Sequence, residues 1–291
     1  MSFLAVINSS CLERLAARNR QRLLKGVRES LRAEIVFTRS EKDMEVAAKK
    51  CLSFDNIISC GGDGTFFNIL NYVDFTGKRF GVIPLGTGNG LAHDLGIRDF
   101  RDSIFKISKG NFRDIDLMEI CFNKDDLVTK RYAVSTVSVG FFAEVANSAN
   151  LHYKKLGRFC YPVAAVLNSL NRQCYQCLVS FDGSGFMHKR FTNLLINNTA
   201  HVGHMRIFKG ADIQDGKLDV WLSKVGFAGQ LIWYLAVITN TYFYYPGKQH
   251  VFKKMEIMPD NPVVLSLDGE VFYDIKHAAF AVSHKKASIF C

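Results

Sequence analysis

No apolar run in this chain is long enough to cross a bilayer, no low-complexity tract interrupts it, and the phosphate-loop pattern Gly-x-x-x-x-Gly-Lys-[Ser/Thr] occurs nowhere in it. These absences exclude a bundle of membrane spans, a disordered chain and the commonest nucleotide cradle. A Gly-x-Gly-x-x-Gly placed after a first strand is also missing, which removes the dinucleotide fingerprint. Met1-Ser-Phe-Leu-Ala-Val-Ile7 lacks a basic n-region and reads as a first strand, so a cytoplasmic protein is expected. Cys174-x-x-Cys177 has no second pair to complete a zinc site. The eight cysteines lie in segments that otherwise look like core, so a reduced compartment and buried strand cysteines at 174 and 177 are expected. His201 and His204 lack a third ligand nearby and read as loop or core histidines.

What is present begins with 291 residues, 48% of them hydrophobic, enough for two modest domains with cores of their own. The organising stretch is Asp55-Asn-Ile-Ile-Ser-Cys-Gly-Gly-Asp-Gly-Thr65, a short apolar run that stops at a glycine cluster where a helical pattern begins. Closely spaced glycines let the backbone take φ > 0 and present bare N–H groups, and the helix adds its positive end: a phosphate cradle. Asp63 then either holds a bridging cation or accepts hydrogen bonds that shape the loop. Farther on, Arg79-Phe-Gly-Val-Ile-Pro-Leu85 runs into Gly86-Thr87-Gly88-Asn89-Gly90 and a second helical pattern from Leu91. Strand, glycine turn and helix, occurring twice, place both loops at the carboxyl edge of a parallel sheet and suggest a nucleotide.

Gly61-Gly-Asp-Gly-Thr65 together with Pro84-Leu-Gly-Thr-Gly-Asn89 and Leu91-Ala92 resembles the diacylglycerol kinase catalytic-domain family, which includes bacterial lipid kinases and sphingosine kinases. The resemblance implies an α/β ATP-binding domain, placed at 1–121, with helices on both faces of a parallel sheet. A β-rich, sandwich-like lipid domain with one or two helices follows at 122–291, its tail free to return to the first, and the cleft between them is the expected active site. It implies ATP contacts from Asn8, Ser10, Thr38, Gly61, Gly62, Asp63, Gly64, Thr65, Gly86, Thr87, Gly88 and Asn89. It implies Mg²⁺ at Asp212, Asp215 and the Lys217 carbonyl, and catalysis by Glu270 as first candidate for the base, Asp268 as second, and Asp63 near the γ-phosphate. Thr38 equally reads as the cap of a helix from Ser40 to Lys50. The chain departs from the family where Asn8 lacks the usual Pro and Gly, where Phe67-Asn68 replaces Asn-Glu, where Gly90 replaces a common Asp, and at Lys209, where relatives often carry Pro.

Three Asp-Gly pairs, at 182, 215 and 268, read on pattern alone as hairpin turns. Leu12, Leu15, Ala16, Leu23, Val27 and Leu31 fall at helical spacing opposite Arg14, Arg18, Arg22, Lys25, Arg28 and Arg32. With a net charge of +10, that stripe is either a solvated face or a peripheral contact with an anionic membrane. A second helix is expected from Leu156 to Leu170 behind His152-Tyr-Lys-Lys155, and the aromatic stretch 229–245 reads as a buried helix or as an acyl-chain or interfacial element. The functional expectation is transfer of the γ-phosphoryl of Mg·ATP to a diacylglycerol- or sphingosine-like hydroxyl. A NAD kinase-like enzyme and a catalytically silent binder of nucleotide or anionic lipid are the alternatives. Nucleic acid is not an expected partner, since no recognition module is present, and a homodimer is left open.

Overall fold

A computed structural model describes residues 2–124, 127–153, 156, 159–170, 173–203, 205–208, 210–226, 228–229 and 248–291, and the chain divides into two compact units. The first comprises Met1–Leu117 with His284–Cys291, the second Met118–Ser283.

In the first unit, β1 (Phe3–Asn8), β2 (Ala33–Thr38), β3 (Asn56–Gly61) and β4 (Arg79–Pro84) are parallel, in the order β2-β1-β3-β4. The strand Ala287–Phe290 adds parallel to β4 and pairs antiparallel with β5 (Phe112–Ile115). β1 and β3 are apolar almost throughout because they are covered on both faces, as parallel strands must be. Around the sheet lie α1 (Ser9–Glu13), α2 (Ala17–Lys25), α3 (Glu41–Cys51), α4 (Asp63–Tyr72), α5 (Gly90–Asp94) and α6 (Phe100–Lys109). Leu23, Val27, Leu31, Phe100 and Ile107 pack with Phe3, Ala5, Ile7 and Ile58 in one core cluster.

The basic stripe is not one helix. The chain breaks between Glu13 and Ala17, with Ala16 extended at ψ 143°, then resumes and ends in a π turn over Gly26–Ser30. Arg20 stabilises the break by donating to the carbonyls of Glu13 (3.0 Å) and Leu15 (3.4 Å), acceptors that a continuous helix would have used internally. A Cβ on Gly26 would lie 2.8 Å from Ile104 Cδ1, so glycine there lets α6 pack close. Arg14, Arg18, Arg22, Lys25, Arg28 and Arg32 are all exposed. Ser40, not Thr38, caps α3, in a reciprocal capping box with Asp43.

The second unit contains β6 (Met118–Lys124), β7 (Leu127–Ala133), β8 (Thr136–Gly140), α7 (Phe141–Ser148) with a π turn at Ala149–Tyr153, α8 (Cys160–Leu170), β9 (Tyr175–Phe181), β10 (Met187–Phe191) and β11 (Asn193–Asn197). A short ribbon of β12 (His201–Val202) and β13 (Met205–Arg206) follows. After it come β14 (Leu218–Ser223), β15 (Lys248–Phe252), β16 (Lys254–Pro259), β17 (Val263–Leu267), β18 (Glu270–Ile275) and β19 (Ala278–Val282). The strands form two antiparallel sheets, β10-β9-β16-β19-β6-β7 and β15-β14-β11-β8-β17-β18. They pack through Phe122 against Phe272 (ring centroids 5.0 Å apart) and Phe181 against Phe252 (5.8 Å), giving a sandwich. The stretch 230–245, His204, Lys209, and Lys154 and Lys155 of the basic tetrapeptide lie outside the described residues.

Cysteine placement corrects one expectation: Cys177 is buried within β9, but Cys174 precedes that strand and is exposed. Burial pushes the Cys51 thiol up to about 11 and, with the nearby Asp260 charge adding to it, Cys177 to about 12; burial alone pushes Cys60 higher still. Under native conditions a thiol reagent at pH 8 should modify Cys174 before Cys51, Cys60 or Cys177, as read by peptide mass spectrometry, with those three modified only in denaturant.

Candidate functional site

The register of the first sheet brings the cradle together. Asn8 pairs with Thr38, and Gly61 with Pro84, so the ends of β1, β2, β3 and β4 lie along one edge. Each strand end is then tied to its neighbour. Asn8 accepts from Cys11 N (3.1 Å), capping α1, and donates from Nδ2 to Thr65 Oγ1 (3.3 Å) in α4. Thr38 is buried at the end of β2. The amides of Leu85 and Gly86 both donate to the Gly61 carbonyl, at 2.8 and 3.2 Å.

The glycines are required by close approach. A Cβ on Gly61 would lie 2.2 Å from Thr65 Oγ1, and one on Gly86 would lie 2.4 Å from Gly62 Cα, so the two loops touch backbone to backbone. Asn89 stands in the left-handed region at φ 54°, held by its own side chain. Its Oδ1 accepts from Gly86 N (3.0 Å), and its Nδ2 donates to Gly86 O (2.8 Å).

Asp63 makes the bonds that its loop-shaping reading calls for. One carboxylate oxygen accepts from Gly90 N (2.9 Å) and the other from Leu91 N (3.3 Å), the first amides of α5, 27 and 28 residues farther along the chain. A carboxylate at a helix N-terminus satisfies orphan donors and complements the dipole. Gly90 therefore serves as a backbone donor to Asp63. The first turn of α4 projects its amide end to this same edge, which suits an anion.

In the second unit, Asp268 and Gly269 form the reversal between β17 and β18, at φ 48° and 95°, the two positive values a two-residue turn of this hand requires. Asp268 is 7% exposed. Its carboxylate accepts from the amides of Val134 (2.7 Å), Ser135 (2.9 Å) and Thr136 (2.8 Å), while its own amide donates to the Thr136 carbonyl (2.8 Å). Glu270, the next residue but one, is exposed at the start of β18. Nothing in the residue pattern marks the partners at 134–136, more than 130 residues away. The Asp182-Gly183 hairpin repeats the device, with Asp182 Oδ1 accepting from Lys253 N (2.9 Å) and Lys254 N (2.8 Å).

Asp212 and Asp215 are exposed, and each spends one oxygen on a local amide: Gln214 N to Asp212 (3.0 Å) and Lys217 N to Asp215 (3.0 Å). Among the described residues no group of three or more His, Cys, Asp or Glu side chains is arranged to hold a metal ion. Carboxylate and carbonyl oxygens are hard donors of the type Mg²⁺ takes. A buried acid that sequence reasoning missed is Asp116, 1% exposed and 3.0 Å from Lys286 Nζ within the first unit. Also missed is Glu144 on α7, which accepts a hydrogen bond from the Tyr175 hydroxyl; burial pushes its carboxyl up, and that bond opposes the shift.

Comparison with known proteins places these features. Residues 2–120 match the model of the diacylglycerol kinase catalytic domain, and residues 135–282 that of the YegS C-terminal NAD kinase beta sandwich-like domain. A diacylglycerol kinase of Mycobacterium tuberculosis is 26% identical over 182 residues, 62% of this chain and 58% of the relative, so the match spans little more than half of that protein. A diacylglycerol kinase of Bacillus subtilis is 24% identical over 264 residues, 84% of each chain. A diacylglycerol kinase structure from Bacillus anthracis superposes with a TM-score of 0.76 at 17% identity, covering 99% of this chain and 96% of that one, which shows a shared fold. No helix among the described residues is long and apolar enough to cross a membrane.

Substituting Asp63 by Asn, which halves the acceptor capacity facing two helix-end amides, should lower unfolding stability by about 1–3 kcal/mol in denaturant titration. Gly86→Ala should abolish the close approach of the two loops, with overpacking costing about 1–3 kcal/mol of stability in the same titration.

Proposed function

Because this chain belongs to the diacylglycerol kinase catalytic-domain family, we propose that it transfers the γ-phosphoryl group of ATP to the hydroxyl of a lipid of the diacylglycerol or sphingosine type. The observation that carries the reading is the pair of glycine loops locked side by side at one sheet edge, Gly62 against Gly86, with the N-terminus of α4 behind the first. Gly61, Gly62, Gly64 and Thr65 of the first loop and Gly86, Thr87, Gly88 and Asn89 of the second are assigned to the ATP phosphates. Asn8 and Ser10 are assigned to the flank of the nucleotide, with Thr38 beside them. Asp63 fixes the second loop from the first and so sets the width of the phosphate seat, a positioning contribution to transfer.

Phosphoryl transfer to an alcohol needs little covalent help from the protein beyond alignment, charge neutralisation and one acceptor for the alcohol proton. Glu270 is assigned as that acceptor. Asp268 holds the turn that presents it: three backbone amides take three of the roughly four lone-pair sites on its two oxygens. When bound, Mg²⁺ supplies neutralisation of phosphate charge, and a separate ion held by Asp212, Asp215 and the Lys217 carbonyl orders the turn that carries them. The exposed cations of α2 and its π turn suit approach to an anionic lipid surface.

With γ-labelled ATP and Mg²⁺, the protein should label one of diacylglycerol, sphingosine, ceramide or phosphatidylglycerol in mixed micelles. Transfer should rise when the micelles contain anionic lipid and fall with added salt. Glu270→Gln should lower kcat by about 10²–10⁴-fold with little change in ATP affinity. ATP binding without transfer to any lipid would instead make the chain a silent nucleotide binder, and labelling of NAD would move it to the other kinase class. Independently of turnover, Mg²⁺ should raise the melting temperature of the wild type and not that of Asp215→Ala, as linkage requires if the turn holds the ion.

A further inference from the structure

Resting on that reading, a second set of contacts reaches the residues on either side of Glu270 from outside the Asp-Gly-Glu turn. Asn150 donates from Nδ2 to the carbonyl of Gly269 at 2.8 Å, and the Tyr273 hydroxyl donates to Asn147 Oδ1 at 2.6 Å. The two asparagines stand three residues apart where α7 passes into the π turn Ala149–Tyr153, a spacing that brings both side chains to one face. Their partners bracket Glu270 in sequence, at 269 and 273. π turns within helices recur at functional sites because the wider turn redirects the residues it carries.

The Gly269 carbonyl belongs to the peptide plane whose nitrogen is that of Glu270. Its orientation therefore limits the φ of Glu270 and the direction of its Cα–Cβ bond. Gly269 itself has φ 95°, a conformation with no side chain to restrain it, so the plane needs an external partner. Asp268 secures the front of the turn from within the sandwich, and Asn150 secures its rear from the helix.

We propose that Asn147 and Asn150 are positioning residues for phosphoryl transfer, a clamp from the α7–π junction that holds the Gly269–Glu270 peptide and the Tyr273 end of the same strand segment so that Glu270 meets the acceptor hydroxyl. They touch neither substrate; they act through Glu270. Neither residue packs in a core, and the two bonds lie at the surface, where each contributes modestly to folding. Removing them should therefore register in turnover more than in stability.

The test uses the full chain with γ-labelled ATP and whichever of the four lipids the wild type labels. Asn150→Ala should lower kcat by roughly 10- to 100-fold, the scale of a small misplacement of a catalytic group, with KM for ATP unchanged. Tyr273→Phe, which deletes the hydroxyl that reaches Asn147, should lower kcat in the same direction by a smaller factor, with the melting temperature within a few degrees of wild type. In a Glu270→Gln background, Asn150→Ala should cause no further loss, because a clamp on an absent base has nothing left to position. Wild-type kcat in Asn150→Ala, or an equal loss in the Glu270→Gln background, overturns the clamp while leaving the kinase reading intact. A wild type that labels none of the lipids overturns the reading and the clamp with it.

Discussion

The hydrogen bonds from Gly90 and Leu91 to the Asp63 carboxylate are the constraint on which the first unit's candidate site depends. The glycines at 61, 62 and 86 allow two loops to approach until their backbones touch, but close approach alone does not fix a relative angle. A carboxylate with two oxygens, bonded to two successive amides of the opposite helix, does. The charge is well placed electrostatically, since it sits where α5 presents unsatisfied N–H groups. A single side chain thus adds a helix-to-helix tie between two strand–loop–helix units whose backbones already meet at Gly61, Gly62 and Gly86.

Much of this was legible in the sequence because it is local. The apolar run Ile57–Cys60, the glycine cluster after it and the repetition at Gly81–Gly90 follow from residue order, as do the type of fold and the hairpins at 182 and 268. What could not be read is nonlocal. The amides that Asp63 and Asp268 bind lie 27 or more residues away, and the three Asp-Gly pairs look alike until their partners are known. The break at Arg14–Ala16 was hidden because the leucine spacing on either side remains helical; Arg20, which stabilises it, reads as one more member of a basic run. Thr38 and Ser40 are equally suited to capping in sequence, and it was Asp43, completing a reciprocal pair, that decided between them.

The two aspartates at 182 and 268 show how one chemical device serves different ends. Each sits at positive φ in a hairpin and uses its carboxylate to hold amides of another segment. Around Asp182 the neighbours are the exposed Lys253 and Lys254 where β16 begins, and the bonds join hairpin to strand. Around Asp268 the turn leads through Gly269 to Glu270, and Asn150 reaches the same turn from a helix. The difference in role lies in what stands next to the turn, since the turn itself is the same.

The strand Ala287–Phe290 sits between β4 and β5, hydrogen-bonded to both. Its Phe290 ring packs 5.8 Å from that of Phe3, so the beginning and the end of the described chain meet in one core. During synthesis, then, the first unit emerges from the ribosome with a gap in its sheet, leaving the edge of β4 without its neighbour until the whole sandwich has been translated. Vectorial folding cannot finish the first unit before the second exists, and the exposed edge in the interval is a point at which a nascent-chain chaperone has something to protect.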